Sequence, residues 1–180
     1  MTNNHLSFIK NKRKSKIDGL LVAELDIFED NRGQIWTLYN ETDWNLRFVE
    51  DKISISSRGV IRGLHGDSNT WKLIGCLSGE FFLVIVDARR DSSTYGLIET
   101  ISLNSANPEI VLVPAGCLNG HQCISEECIF WYKWSEHYTG QGTQETCRWD
   151  DDDLEIEWPI PDPILSNRDL NGKEYRNIIL

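Results

Sequence analysis

The sequence has few of the residues from which metal centres, disulfide frameworks and phosphate-binding loops are built. Its 180 residues include four histidines and five cysteines, without an HxH or a CxxC pair. A metal site is therefore disfavoured, and the odd, scattered set of thiols indicates a reducing compartment, which we expect to be the cytoplasm. The patterns GxGxxG and GxxxxGK[ST] are also missing, so we expect no nicotinamide chemistry on a Rossmann domain and no cofactor.

Positive charge and long apolar runs are scarce as well. The chain has 18 Lys and Arg against 28 Asp and Glu, a net charge of −10, which argues against a nucleic-acid partner but allows a small anionic ligand in a local basic pocket. The first apolar stretch, residues 20–23, is too short and too late for a signal peptide, and we expect no membrane association. One domain is expected over residues 1–180, with its core at about 24–169.

The periodicity that is present is mainly that of strands, and it predicts an all-β protein. Turn signals recur about every 8–12 residues, the spacing of a β-sandwich or barrel. The candidate strands are residues 51–57, 81–86, 98–103, 110–113 and 129–134.

Helical signals are few. Residues 41–46 are a candidate short helix, and residues 150–179, rich in acidic residues and proline, are expected to wrap the surface with one short helix or none. The acidic run at 150–153 is most simply a solvated loop.

Four residue types suited to proton abstraction lie in or beside the candidate strands. In an extended segment 62–65 (RGLH), Arg62 and Leu64 should face one way and His65 the other. Histidine can act as a base near neutral pH, Tyr132 could return a proton, and Lys72 could stabilise an oxyanion. Each alone is weak evidence, because a lone histidine is more commonly a hydrogen-bonded structural residue and a lone lysine a surface one.

Taken in order, short motifs along the chain are more specific than any one of them. Over about three-quarters of its length the chain resembles the dTDP-4-dehydrorhamnose 3,5-epimerase family and its relatives acting on other nucleotide-linked 4-keto sugars. The matching blocks are residues 30–33 (DNRG), 56–65 (SSRGVIRGLH), 72–73 (KL), 79–80 (GE), 86–96 (VDARRDSSTYG), 113–116 (VPAG), 132–133 (YK), 148–151 (RWDD), 156–159 (IEWP) and 163–169 (PILSNRD).

This resemblance implies a cupin-like double-stranded β-helix, or jelly roll, and assigns catalytic roles. His65 would be the general base and Asp169 the carboxylate that orients it. Tyr132 would reprotonate the sugar from the opposite face, and Lys72 would stabilise the enolate formed beside the 4-keto group. The implied reaction inverts C3, or C3 and C5, of a nucleotide-diphospho-4-keto-6-deoxy sugar, in deoxysugar synthesis for O-antigen or other surface polysaccharide.

The resemblance also implies substrate contacts and a homodimer. Arg62 would contact the diphosphate, and Arg32 resembles an arginine that reaches the diphosphate across the dimer interface. The full set of candidate substrate-binding residues is Arg62, Arg32, Asn119, His121, Tyr138, Glu50 and Lys52.

Three departures from the family pattern keep the substrate open. Asn119 occupies the position of the histidine in the family's PxGxxHG pattern. Glu50 and Lys52 stand in place of a usual Gln and Asn, and the stretch after His65 is short. The nucleotide is therefore left as dTDP, GDP or CDP.

Three rival functions are weighed against epimerisation. A cupin 3,4-ketoisomerase would use the same enolate but move the ketone. A non-catalytic sugar-nucleotide-binding protein is disfavoured by the joint presence of His65, Asp169 and Tyr132. A metal-dependent cupin oxygenase is disfavoured by the lack of an HxH pair.

Overall fold

The protein is described by a computed structural model that covers residues 7–180, and these residues are almost entirely β-structure. The strands among them are β1 (Ile9–Lys14), β2 (Leu21–Leu25), β3 (Ile27–Asp30), β4 (Gly33–Trp36), β5 (Glu50–Ser57), β6 (Ile61–Gly66), β7 (Lys72–Ser78), β8 (Glu80–Asp87), β9 (Ile98–Asn104), β10 (Glu109–Val113), β11 (Cys117–Cys123), β12 (Glu127–Trp134) and β13 (Glu145–Thr146). The helical elements are α1 (Asn167–Leu170) and the one-turn 3-10 helices Glu41–Asp43, Gln141–Thr143 and Tyr175–Asn177.

Two antiparallel sheets face each other. The first has the strand order β1-β2-β10-β7-β12-β5 and the second the order β13-β6-β11-β8-β9, while β3 and β4 form a separate hairpin. Strands adjacent in sequence, such as β7 and β8, lie in different sheets, so the chain crosses repeatedly between the two layers. This arrangement confirms the predicted all-β jelly roll with few short helices.

Apolar side chains form three layers around these sheets. Between the sheets lie residues such as Val22, Ile74 and Phe81. Tyr175 and Ile178, near the C-terminus, cover the outer face of the five-stranded sheet, and a third cluster covers the outer face of the six-stranded sheet. Coverage on both faces explains why β8 is a continuous apolar run rather than an alternating one.

All five candidate strands are confirmed, each within a strand of the structure. The turn between β7 and β8 depends on Gly79, whose φ of 72° and close contact with the backbone at Glu127 leave no room for a Cβ. The predicted helix at 41–46 is reduced to the 3-10 turn Glu41–Asp43, whose N-cap Asn40 accepts a hydrogen bond from the Thr42 amide.

The acidic run was only partly a solvated loop. Asp151 is buried, and its carboxylate accepts hydrogen bonds from the backbone amides of Tyr175 (2.9 Å) and Asp153 (3.1 Å). The prediction failed there because the C-terminal segment returns to supply donors, which charge patterning cannot reveal. All five cysteines are free and buried. Among residues 7–180, no helix combines the length and apolar character needed to cross a bilayer.

Candidate active site

A cavity of about 760 Å³ lies between the two sheets and is closed on one side by the C-terminal segment. One wall comes from β6 and β11 of the five-stranded sheet, and the opposite wall from β5, β7 and β12. Nine of the eleven predicted site residues line it: His65, Asp169, Tyr132, Lys72, Arg62, Asn119, His121, Tyr138 and Lys52.

Strand alternation explains how most of these side chains reach the cavity. On β7, Lys72 points into the cavity while Leu73 packs in the outer apolar layer. On β12, Tyr132 lines the cavity and its neighbour Trp131 packs outward. On β11, Asn119 lines the cavity two residues before His121. The period of two residues therefore selects one face of each strand.

Simple alternation was wrong for β6. We expected Arg62 and His65 on opposite faces, yet both line the cavity, and Leu64 is buried in the outer apolar layer. Along β11, Asn119 lies opposite His65 and His121 opposite Arg62, so three steps on β6 match two on β11. This bulge returns both functional side chains to one face. Gly63 permits it, because its φ is 129° and a Cβ would collide with the backbone of Gly120.

His65 and Asp169 form a hydrogen-bonded pair, with 2.7 Å between His65 Nε2 and Asp169 Oδ1. Ser166 caps α1 and donates to Asp169 Oδ2 at 2.7 Å. Burial would raise the pKa of Asp169, but the hydrogen bonds from His65 and Ser166 outweigh it and lower that pKa. Burial lowers the pKa of His65 although Asp169 opposes the shift. The pair is thus a neutral imidazole held by a carboxylate.

Tyr132 and Lys72 stand on the wall opposite His65. Burial raises the pKa of Tyr132, so its hydroxyl keeps the proton at neutral pH. Lys72 is 3% exposed, and burial lowers its pKa to about 8. Its ammonium donates to Asn119 Oδ1 at 2.7 Å, which bridges the two walls. The family histidine's position is therefore filled by an uncharged acceptor for the lysine.

His121 lies deeper in the same wall as Asn119. Its ring stacks on Phe130 with 4.1 Å between centroids, and burial lowers its pKa to about 3. The imidazole is therefore neutral at pH 7. Its Nε2 is buried with no hydrogen-bond partner among the described residues.

At the open end of the cavity a lysine is held between aromatic rings. Lys52 Nζ lies 4.1 Å from the ring centroid of Trp134 and 3.6 Å from that of Tyr138. Glu50 does not line the cavity, but its carboxylate pairs with Lys52 at 2.8 Å and accepts from the Tyr138 amide at 3.0 Å. Glu50 thus fixes the positions of Lys52 and Tyr138 although it does not line the cavity itself.

Arg32 is the second predicted site residue that does not line the cavity. It lies in the β3–β4 hairpin, its side chain is 85% exposed, and its guanidinium binds Asp30, with 2.5 Å between Arg32 Nη2 and Asp30 Oδ2. The hairpin also exposes Phe28 and Ile35. A role for Arg32 in the cavity of this same chain is not supported by that position.

Several lining residues were missed by sequence reasoning: Trp134, Gln141, Gln144, Ser166 and Arg168. Arg168 and Ser166 lie in the block that contains Asp169, so their proximity in sequence was the available signal. Gln141 and Gln144 sit on a 3-10 turn whose placement depends on tertiary packing.

The cavity is basic although the chain is acidic. Its lining includes Lys52, Arg62, Lys72 and Arg168 against the single carboxylate of Asp169. Such a concentration of cations selects an anionic ligand. Within residues 7–180 no three His, Cys, Asp or Glu side chains are grouped so as to hold a metal ion, and His5 lies outside the described residues.

The fold is a jelly roll in which His65 and Tyr132 stand on facing walls of one basic cavity, and comparisons with known proteins show the class to which such a chain belongs. The family model for dTDP-4-dehydrorhamnose 3,5-epimerase matches residues 14–177. The dTDP-4-dehydrorhamnose 3,5-epimerase of Methanothermobacter thermautotrophicus is 36% identical over 173 residues, which covers 91% of this chain and 93% of the relative.

Solved structures give the same result. The dTDP-6-deoxy-D-glucose-3,5-epimerase of Legionella pneumophila, in complex with dTDP-4-keto-L-rhamnose, has a TM-score of 0.88 at 31% identity and 94% coverage of both chains. A 4-keto-6-deoxy sugar epimerase from the novobiocin gene cluster of Streptomyces spheroides has a TM-score of 0.87 at 29% identity, covering 92% of this chain and 87% of that one. The chain belongs to the dTDP-4-dehydrorhamnose 3,5-epimerase family and is an isomerase-class enzyme.

Proposed function

We propose that the protein inverts C3, or C3 and C5, of a nucleotide-diphospho-4-keto-6-deoxy sugar through an enolate intermediate. The observation that carries this proposal is the placement of His65 and Tyr132 on opposite walls of one cavity. Inversion requires that the proton leave from one face of the sugar and return to the other. A base and an acid on facing sheets meet that requirement without any rearrangement of the protein.

His65 is the proposed base, held by Asp169. Because Asp169 binds Nε2, the ring nitrogen that can accept the substrate proton is Nδ1. Burial keeps the imidazole neutral, and the carboxylate stabilises the imidazolium once the proton is taken. A positioned base of this kind contributes on the order of 10²–10⁴-fold in rate.

Lys72 is the proposed partner of the enolate oxygen. With a pKa of about 8, its ammonium is largely charged at pH 7. Asn119 fixes its direction by accepting one of its three hydrogens. Nζ also donates to the backbone oxygen of His65 at 3.4 Å, which leaves one hydrogen for the oxygen on which charge develops, where buried charges act most strongly.

The open end of the cavity is the proposed nucleotide-diphosphate site. Arg62 and Lys52 supply positive charge there, and Tyr138 offers a ring for stacking. Relatives were crystallised with dTDP-4-keto-L-rhamnose and with TDP, which makes the dTDP-linked sugar the first compound to test. Glu50 and Lys52, which depart from the family's usual Gln and Asn, keep GDP- and CDP-linked sugars among the proposed substrates.

We further propose that the chain acts as a single epimerase-like domain and forms a homodimer. The β3–β4 hairpin exposes Phe28 and Ile35, and β5 exposes Ile53 and Ile55 at the edge of its sheet. Exposed apolar groups along an unpaired edge are typical of an interface. A partner subunit on the hairpin would carry Arg32 towards a second active site. The five free thiols support a reducing compartment, the cytoplasm, as the site of action.

The test is incorporation of solvent deuterium into dTDP-, GDP- and CDP-4-keto-6-deoxy sugars, followed by proton NMR. We expect exchange at C3, or at C3 and C5, with one preferred nucleotide, and none above background with His65→Ala. Movement of the carbonyl to C3 would identify a 3,4-ketoisomerase. Absence of exchange with all three nucleotides, together with tight sugar-nucleotide binding, would identify a non-catalytic binding protein and overturn the proposal.

A further inference from the structure

The buried ammonium of Lys72 is held by two neutral oxygens. Among residues 7–180, its hydrogen-bond acceptors are the side-chain oxygen of Asn119 at 2.7 Å and the backbone oxygen of His65 at 3.4 Å. A lysine that is 3% exposed keeps its charge only where nearby groups offset the loss of hydration. An opposite charge does this more strongly than a neutral dipole, because the dielectric constant of the interior is low.

Two carboxylates near the cavity already have partners of their own. Asp169 binds His65, and burial lowers the pKa of that imidazole, which is therefore neutral. Glu50 pairs with Lys52 at 2.8 Å. Asp67 lies two residues after His65, in the link that joins β6 to β7. Because β7 begins at the buried lysine, only a short step along the chain separates the two charges.

The Asp67 carboxylate is fixed by the turn in this link. Its Oδ1 accepts hydrogen bonds from the backbone amides of Thr70 at 2.7 Å and Asn69 at 3.0 Å. Its Oδ2 accepts from the side chain of Gln144 at 3.3 Å, and its backbone oxygen accepts from the Gly116 amide at 2.8 Å. Gln144 lines the cavity whereas Asp67 does not, so the carboxylate lies behind a residue of the cavity wall.

The charges of Asp67 and Lys72 influence each other. Burial would raise the pKa of Asp67, but hydrogen bonds from Thr70 and Asn69 outweigh it and the charge of Lys72 lowers that pKa further. The carboxylate is therefore ionised at neutral pH. Burial lowers the pKa of Lys72 to about 8, and Asp67 is the strongest influence that opposes this shift.

The other titratable groups around the lysine do not supply this negative charge. Cys117, at the start of β11, has a thiol whose pKa burial raises to about 12, so it is uncharged at neutral pH. After burial itself, the cations Arg168 on α1 and Lys52 on β5 lower the pKa of Lys72 further. On β12, burial raises the pKa of Tyr132, so its hydroxyl keeps the proton.

We propose that Asp67 is a positioning residue, whose carboxylate keeps the ammonium of Lys72 charged within the cavity. The inference rests on the proposed epimerase function, in which that ammonium stabilises the enolate oxygen. Asp67 touches no reacting atom, because it does not line the cavity. It acts by extending to higher pH the range over which Lys72 holds its proton, so removal of its charge should let the lysine discharge at lower pH.

The experiment compares Asp67→Asn with wild type by two measurements. The first is an NMR pH titration of lysine side chains labelled at Cε, in which the Lys72 signal is identified by its loss in Lys72→Arg. We expect its midpoint to fall from about 8 to about 7 in Asp67→Asn, the size of shift that one nearby opposite charge produces. The second is deuterium exchange, whose rate should stay within about twofold of wild type at pH 6 and fall about fivefold at pH 8, as that shift requires.

Two controls separate charge from shape. Asparagine keeps the size of the side chain and an oxygen that can accept from the Thr70 amide. Asp152→Asn should leave both measurements unchanged, because that carboxylate is exposed and lies outside the cavity. In a Lys72→Arg background, Asp67→Asn should no longer alter the pH dependence of exchange, since arginine keeps its charge.

Two outcomes would overturn the inference. An unchanged Lys72 midpoint in Asp67→Asn would show that the carboxylate does not hold the charge of the lysine. Equal losses of exchange at both pH values would assign Asp67 to the shape of the link instead. If Asp67→Asn fails to fold, Asp67→Ser, whose hydroxyl can accept from the Thr70 amide, gives the same titration. The titration needs no turnover, so failure of wild type to exchange deuterium would overturn the epimerase function separately.

Discussion

Replacing Asp169 by asparagine would test how much of the proposed proton abstraction depends on the carboxylate behind His65. The substitution keeps the size of the side chain and removes its charge. The carboxylate is 3% exposed and lies 2.7 Å from His65 Nε2. A hydrogen bond to a buried charged group contributes about 1.5–3 kcal/mol, and each 1.36 kcal/mol in the barrier is a factor of ten in rate. We therefore expect kcat for exchange to fall about 10- to 150-fold, and further if the amide selects the wrong tautomer of His65.

The pH profile separates a catalytic role from a structural one. The carboxylate raises the pKa of His65 against the effect of burial, so its removal should lower that pKa. The acid limb of the exchange profile should move to lower pH in Asp169→Asn, whereas a merely unstable variant would lose amplitude without moving the limb. Asp150→Asn is the control, since that exposed carboxylate pairs with Arg148 outside the cavity. Exchange within threefold of wild type, with an unmoved limb, would refute the assignment of Asp169.

Other predictions follow from the same geometry. Tyr132→Phe should leave deuterium exchange measurable but stop inversion, because His65 can return a deuteron only to the face it took a proton from; NMR of the recovered sugar would show exchange with retention, and inverted product would contradict the role. The exchange rate should fall as pH rises through about 8, where Lys72 loses the charge that stabilises the enolate, and Lys72→Arg should remove this basic limb; a limb that persists belongs to another group. The free energy of unfolding should decline as pH falls below 6.5. His121 has a pKa of about 3 in the folded protein and about 6.5 in the unfolded chain, so between these values only the unfolded chain binds the proton. The contribution of His121 at pH 5 is about 2 kcal/mol, from 1.36 kcal/mol per pKa unit, and urea melts of His121→Phe should show a pH dependence smaller by that amount.

The pairing of Lys72 with Asn119 shows how the chain departs from its family without losing the site. A histidine at position 119 could become a second cation beside the lysine, whereas asparagine supplies a neutral acceptor at 2.7 Å. Lys72 and Arg168 are then two of the four cations that line the cavity. His121, two residues further along β11, stays neutral because burial lowers its pKa to about 3.

Much of the architecture was readable from local pattern. The continuous apolar run of β8 and the aromatic strand β12 were found because strand formation depends on residues that are near neighbours. The ordered motifs identified His65, Tyr132, Lys72 and Asp169 as a set. Residues 41–46 were a candidate helix from local pattern, and the structure has only the single 3-10 turn Glu41–Asp43 there.

Periodicity and motif order are enough to specify the all-β class, the family and the residue types available for proton transfer. Which of those side chains meet depends on how distant elements pack. A bulge at Gly63 brings Arg62 and His65 to one face, and 104 residues separate His65 from the carboxylate that holds it. Burial of Lys72, and the placement of Arg168 in the same cavity as His65, depend on two sheets and a C-terminal segment packing around that cavity. Such long-range contacts leave no periodic trace in the chain, because each is set by where distant elements pack rather than by neighbouring residues.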